Sequence, residues 1–202
     1  MLKKGLYFIF LFCMIAVVAI AQPEGETPIV EGDDGAAEAA ERAKYLMDFH
    51  NYNTQLNNNM GTKNMFHHHI DVNRSRASIP NVGQITQSID CYFVNKKGEY
   101  AIKKILILTK DGAVSSTKEF VFDYRNDGEL SYYSYNSNIN QENSERMGVY
   151  FDNKQLMYYS EDGLVQPKNG YGDEVFKKGI EVLNNSADYE LMLSTIIRVQ
   201  PK

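Results

Sequence analysis

Between Ile85 and Asp162, short β-prone runs alternate with tight-turn signals, and this alternation limits the chain to an antiparallel sheet of hairpins. The turns fall at Asn95-Lys96-Lys97-Gly98, Lys110-Asp111-Gly112, Asn126-Asp127-Gly128 and Asp152-Asn153-Lys154. Gly accepts positive φ without a Cβ clash and Asn or Asp tolerates it, so each of these sites can reverse the chain. The intervening runs predict about six strands, at Ile85 to Asn95, Tyr100 to Lys110, Thr117 to Arg125, Glu129 to Tyr135, Glu145 to Asp152 and Gln155 to Ser160.

Helical signals flank this stretch. From Ala36 to about Met60, Tyr45, Phe49, Tyr52 and Leu56 recur at helical spacing, which predicts one apolar stripe facing a core, with Asp33 and Asp34 at its start. Asp173 begins a second helix with Phe176, Ile180 and Leu183 on one face. Asn184-Asn185-Ser186 is expected to interrupt it, with Ser186 capping a last segment through Tyr189, Met192, Leu193, Ile196 and Ile197. The β-branched Ile196, Ile197 and Val199 leave a terminal strand open for that segment. The expected fold class is α+β: an N-terminal helix, an antiparallel β-meander, and a C-terminal helix or helices packed on the sheet. Cystatin-like and NTF2-like curled sheets have comparable element order, an analogy of fold that carries no function.

The first residues carry a different signal. Met1-Leu2-Lys3-Lys4 is basic, Gly5 to Ile20 is almost wholly apolar, and Ala19-Ile20-Ala21 offers a small-x-small cleavage site. This predicts a secretory signal peptide over 1–21 and a periplasmic or secreted product. A membrane anchor is the alternative, but the apolar run is shorter than the roughly 20 residues a spanning helix needs, so no stable membrane insertion is expected after cleavage. Residues 22–35, rich in Glu, Asp, Pro and Gly, read as an acidic flexible tether, and 36–202 as one domain.

Charge and cysteine content narrow the function. The whole chain has 21 basic and 26 acidic residues, and losing Lys3 and Lys4 with the leader carries the net charge from −5 to −7. A phosphate backbone needs clustered Lys and Arg, so nucleic acid is excluded as a partner. Of the two cysteines only Cys91 survives cleavage, which rules out an internal disulfide, and its alternation with Ile89 and Phe93 predicts a buried small hydrophobe.

The catalytic motifs are missing. Ser115-Ser116-Thr117-Lys118 matches Ser-x-x-Lys, but the serine follows an Asp-Gly turn into a strand, and no Lys-Thr-Gly partner motif exists. Phosphate-loop, dinucleotide and His-Glu-x-x-His patterns are also absent. All four histidines fall between His50 and His69. The run His67-His68-His69, with Asp71 behind it, is expected to be a solvated loop rather than a metal site, because consecutive histidines splay apart. Arg74 and Arg76, in the polar connector that follows, are candidates for catching an anion. No cofactor is expected.

Period-two patterning assigns sides to the later strands. Phe120, Phe122 and Tyr124, Leu130 and Tyr132, Met147, Val149 and Phe151, and Leu156 and Tyr158 are expected to form the core. The opposite side then carries Asp123, Tyr133, Tyr135, Tyr150, Asp152 and Tyr159. Tyrosines combine flat apolar area with a hydroxyl at little entropic cost, so Tyr133, Tyr135, Tyr150 and Tyr159 are the candidate binding residues. Cross-strand pairing that merely stiffens the sheet is the competing explanation. Ile105-Leu106-Ile107-Leu108, apolar throughout, predicts a central strand covered on both sides.

A faint internal repeat accompanies this pattern. Tyr92-Phe93-Val94-Asn95-Lys96 parallels Tyr150-Phe151-Asp152-Asn153-Lys154, and Leu130-Ser131-Tyr132-Tyr133-Ser134 parallels Leu156-Met157-Tyr158-Tyr159-Ser160. These arms resemble the Tyr-rich hairpins of MORN-type repeats over well under half of the chain. That family's regular glycines are missing, and the chain is not assigned to it.

The function expected from the sequence is an exported, non-catalytic binding or interaction protein. It would use the Tyr-rich sheet face for a protein, peptide or glycan in the envelope or outside the cell. An inhibitor or immunity protein that blocks a foreign enzyme is one alternative. A small-ligand or lipid carrier, or a small hydrolase working in a sheet concavity, is the other.

Overall fold

The structure is a computed structural model that describes residues 34–78, 83–96, 98–138, 144–166 and 171–199. The expected signal peptide and most of the expected tether lie outside the described residues. The chain divides after Ala40, and everything below concerns Glu41–Lys202 apart from the opening turns of the first helix. The elements are α1 (Asp34–Asn59), β1 (Phe66–Val72), β2 (Ile85–Lys96), β3 (Glu99–Asp111), β4 (Val114–Phe122), β5 (Leu130–Asn138), β6 (Ser144–Asp152), β7 (Gln155–Glu161), β8 (Leu164–Gln166) and α2 (Asp173–Val199). Among the described residues no helix is long and apolar enough to cross a membrane.

The eight strands form one antiparallel sheet in sequential order, so every strand pairs with its neighbours in the chain. The α+β class holds, but the described residues form eight strands rather than about six. Both additional strands are edges. β1 contains the histidine run expected to be a solvated loop, and β8 is a three-residue strand beyond the last run that predicts a strand. The turns fall where the sequence marked them. Gly112 and Gly128 take positive φ, and Asn153 and Lys154 do so in succession, at 51° and 59°, the conformation of a two-residue type I′ hairpin.

Three β-bulges correct the expected assignment of sides. The register shifts between Tyr92 and Phe93, between Val121 and Phe122, and between Tyr150 and Phe151, leaving Lys103, Ser131 and Met157 as the extra residues on β3, β5 and β7. A bulge inserts one residue and so inverts the alternation beyond it. Leu130 and Tyr132 therefore face opposite sides, as do Leu156 and Tyr158. Tyr124, placed with Phe120 and Phe122 by simple alternation, also joins the opposite cluster. All three bulges lie near the β2–β3, β4–β5 and β6–β7 turns, which a sequential meander puts at one end of the sheet. The faint sequence repeat thus has a structural basis. Tyr92 and Tyr150 occupy equivalent sites before a register shift, and Phe93 and Phe151 occupy equivalent sites after it.

Each face of the sheet packs against a helix. Tyr45, Phe49, Tyr52 and Leu56 of α1 bury against Val121, Tyr124, Tyr132, Tyr150 and Tyr158. Phe49 sits among three tyrosines, with ring centroids 4.9 Å from Tyr132 and 5.5 Å from both Tyr124 and Tyr150. On the other face, Val182, Leu193 and Ile197 of α2 join Cys91, Ile105, Ile107, Phe120, Phe122 and Val149. The expected Phe176 and Ile180 stripe is instead exposed, and α2 turns Gly179 and Val182 inward, with Gly179 lying against Leu156. The expected break at Asn184-Asn185-Ser186 is absent. The Ser186 hydroxyl donates to the Leu183 carbonyl at 2.8 Å, a local bond that lets a buried serine sit inside a continuous helix. The expectation for β3 also needs correction, since Leu108 is exposed while Ile105 and Ile107 are fully buried.

Charge is buried beneath α1 as well. Lys104 on β3 is 3% exposed, pairs with Glu119 and donates to Asn57 Oδ1 at 2.6 Å. These partners compensate the loss of water around the ammonium group. Phe49→Ala removes the ring at the centre of the α1 cluster and is expected to cost about 3–5 kcal/mol in urea unfolding. Met47→Ala, on the solvent side of the same helix, is expected to change stability by less than about 0.5 kcal/mol.

Candidate functional site

The four candidate tyrosines do not share one open face. Tyr133 is buried in the α2-side core at 6% exposure, stacked obliquely on Phe120 at 4.9 Å. Tyr150 points to the opposite side, between Tyr132 at 4.7 Å and the rings of α1. Tyr159 returns to the α2 side and meets Tyr171, whose hydroxyl accepts the Tyr159 amide at 2.7 Å and donates to the Gln166 carbonyl at 3.1 Å. Tyr135 is half-buried beside Tyr133. The physical reason is the alternation itself: Tyr133 and Tyr135 share a side on β5, and β6 places Val149 opposite Tyr133, which turns Tyr150 away.

Tyr133 and Tyr135 instead line a groove of about 590 Å³ on the α2 side. Its floor takes Gln87 from β2, Thr109 from β3, Lys118 from β4, Tyr135 from β5 and Met147 from β6. Its wall is α2, through Lys178, Glu181, Val182 and Asn185. The Gln87 amide donates to the Thr109 hydroxyl at 3.2 Å, and Lys178 pairs with Glu181 at 3.4 Å. The lining is therefore mixed, with apolar, aromatic, cationic and anionic groups side by side. Sequence reasoning found Tyr135 but missed its neighbours, because they come from strands far apart in the chain.

A second constellation lies on the sheet's β1 edge, on the α1 side. The register places His67 opposite Tyr92 and His69 opposite Asp90. His67 Nε2 and His69 Nδ1 each lie 2.7 Å from Asp90 Oδ1, and His69 Nε2 lies 3.1 Å from Asp71 Oδ1. The hydrogen bond to Asp90 chiefly raises the His69 pKa. Burial pushes the Asp90 carboxyl up, but the bonds from His69 and His67 together outweigh it and hold the group below the usual carboxylate range. His67, His69 and Asp90 are the described residues that could hold a metal ion. The signal was present in the sequence as His-x-His, two residues that share a side once the segment is a strand.

Other sequence candidates are placed as follows. Arg74 and Arg76, with Lys110, line a depression of about 310 Å³ that also contains Asp71 and Ser88. Ser115 lies within β4 and opens no helix. Cys91 is fully buried, and burial raises its thiol to about 12, which opposes any nucleophilic use. No family model matches the chain, and no match is found among the curated proteins or the solved structures.

Because folding buries Cys91, iodoacetamide at pH 8 is expected to leave it unmodified in the native protein and to alkylate it fully in denaturant. Rapid native labelling would show that the β2 core opens far more readily than this packing allows.

Proposed function

We propose that the protein is an exported, non-catalytic binding module that holds an extended peptide segment of a partner protein in the groove between the sheet and α2. The apolar leader of the sequence supports export. The observation that carries the reading is the groove's floor, which crosses five adjacent strands from β2 to β6. Strands about 4.8 Å apart make that span roughly 19 Å, the reach of about six residues of extended chain. The lining suits a peptide of mixed character. Tyr135 and Met147 offer apolar contact, Gln87 and Asn185 can meet backbone amides and carbonyls, and Lys118, Glu145, Lys178 and Glu181 favour opposite charges. Both sheet faces are packed with side chains beneath the helices, which favours an open groove over an enclosed carrier cavity.

The reading is tested by panning a random-peptide display library against the purified protein and measuring the selected peptides by fluorescence anisotropy. Tyr135→Ser and Lys118→Glu are each expected to weaken binding by about ten-fold or more, as loss of an interface anchor does. Phe176→Ser, on the exposed side of α2, is expected to leave it unchanged. Peptides that bind all variants equally, or a library that yields no binders, would overturn the assignment of this groove.

A further inference from the structure

We propose that His67, His69 and Asp90 form a binding site for a borderline transition-metal dication, zinc(II) foremost. The site lies at the β1 edge and is independent of the peptide groove. The argument begins with strand geometry. β1 is an edge strand, and residues two apart on a strand share a side, so His67 and His69 project together while His68 projects away, opposite Cys91. The antiparallel register then brings Asp90 of β2 directly opposite His69. All three ligand atoms fall within 4.8 Å of one another.

The spacing suits a tetrahedral ion. Zinc bonds of about 2.0–2.2 Å separate neighbouring ligand atoms by about 3.3–3.5 Å. Both histidine nitrogens lie 2.7 Å from Asp90 Oδ1, so admitting the ion requires each pair to open by roughly 0.6 Å. Both imidazoles are exposed and can make that adjustment.

Two neighbouring residues orient the ligands. His69 Nδ1 shares a proton with Asp90, which an incoming ion would displace; the hydrogen bond that His69 Nε2 donates to Asp71 at 3.1 Å then holds the tautomer whose Nδ1 lone pair faces the metal. A carboxylate behind a ligating histidine is a recurrent support for zinc. Tyr92 stacks on the His67 ring at 4.7 Å with an interplanar angle of 11°, and so fixes its direction. The donor set is two imidazoles and one carboxylate. It suits zinc, copper(II) or nickel(II) and disfavours magnesium and calcium, which take oxygen ligands throughout. Three protein ligands leave a fourth position for water or for a group from another molecule.

The test is calorimetric titration of the untagged protein with zinc chloride, with cobalt(II) absorption as a second readout of coordination. One ion per chain is expected, with ligand-field bands of a four-coordinate site. His67→Ala, His69→Ala and Asp90→Ala are each expected to lower affinity by on the order of 100-fold, and Asp71→Asn by about 10-fold. His68→Ala is expected to leave affinity within about two-fold. Loss in His68→Ala equal to that in His69→Ala would overturn the proposal and reduce the binding to an unstructured property of the histidine run. No saturable binding, or full affinity in Asp90→Ala and Asp71→Asn, would overturn it as well.

Discussion

Two hydroxyl groups on α1 tie that helix to the sheet's own irregularities, and the rest of the arrangement depends on this attachment. Tyr52 donates to the Phe122 carbonyl at 2.6 Å and Tyr45 to the Phe151 carbonyl at 2.9 Å. Phe122 and Phe151 are the residues at which the ladder shifts register, where a bulge disrupts strand pairing and a carbonyl can accept from a side chain. The spacing matches on both sides. Seven residues of helix rise about 10.5 Å, and two strand separations amount to about 9.6 Å. α1 therefore lies across the strands and meets β4 and β6 at equivalent residues, each opposite a bulge on the following strand. Burial of the phenol pushes the Tyr52 hydroxyl up to about 12, which keeps it a donor across the physiological range.

With α1 held there, aromatic rings fill the surface that simple alternation would have left partly open. Phe49 and Tyr45 pack edge-on or tilted against Tyr124, Tyr132, Tyr150 and Tyr158, and such pairs add to their area burial. The tyrosines on this side thus serve cohesion. On the other side α2 covers only part of the sheet, because its buried residues Val182, Leu193 and Ile197 sit over Phe120, Val149 and their neighbours while Tyr135 and Met147 remain half-exposed. The room for recognition is displaced to the margins, to the groove beside α2 and to the β1 edge.

The hairpins and the α1 stripe were legible in the sequence because each rests on local chemistry, Asx-Gly turns for the former and the spacing of Tyr45, Phe49, Tyr52 and Leu56 for the latter. The sides of the strands were not, because a bulge is one residue with no composition of its own. Lys103, Ser131 and Met157 share only their position relative to a turn. β1 was hidden because three consecutive histidines obscure the alternation of Phe66, Ile70 and Val72. The continuity of α2 was hidden because the Ser186 bond to Leu183, which suppresses the expected break, belongs to the helical conformation itself. At the candidate sites Tyr135 and the histidines were visible individually, while the partners that give them meaning, Met147 and Lys178 for one and Asp90 for the other, arrive only through strand register and helix packing.

The division of the aromatic residues between the two opposite faces of the sheet is tested most directly by an aromatic NOESY spectrum of the isotope-labelled protein. The account predicts ring-to-ring cross-peaks from Phe49 to Tyr132 and Tyr150, and from Phe120 to Tyr133 and Tyr189, with none joining Tyr133 to Tyr150. Cross-peaks between Tyr133 and Tyr150, with none from Phe49 to either Tyr132 or Tyr150, would contradict it. They would restore a single tyrosine face open to solvent.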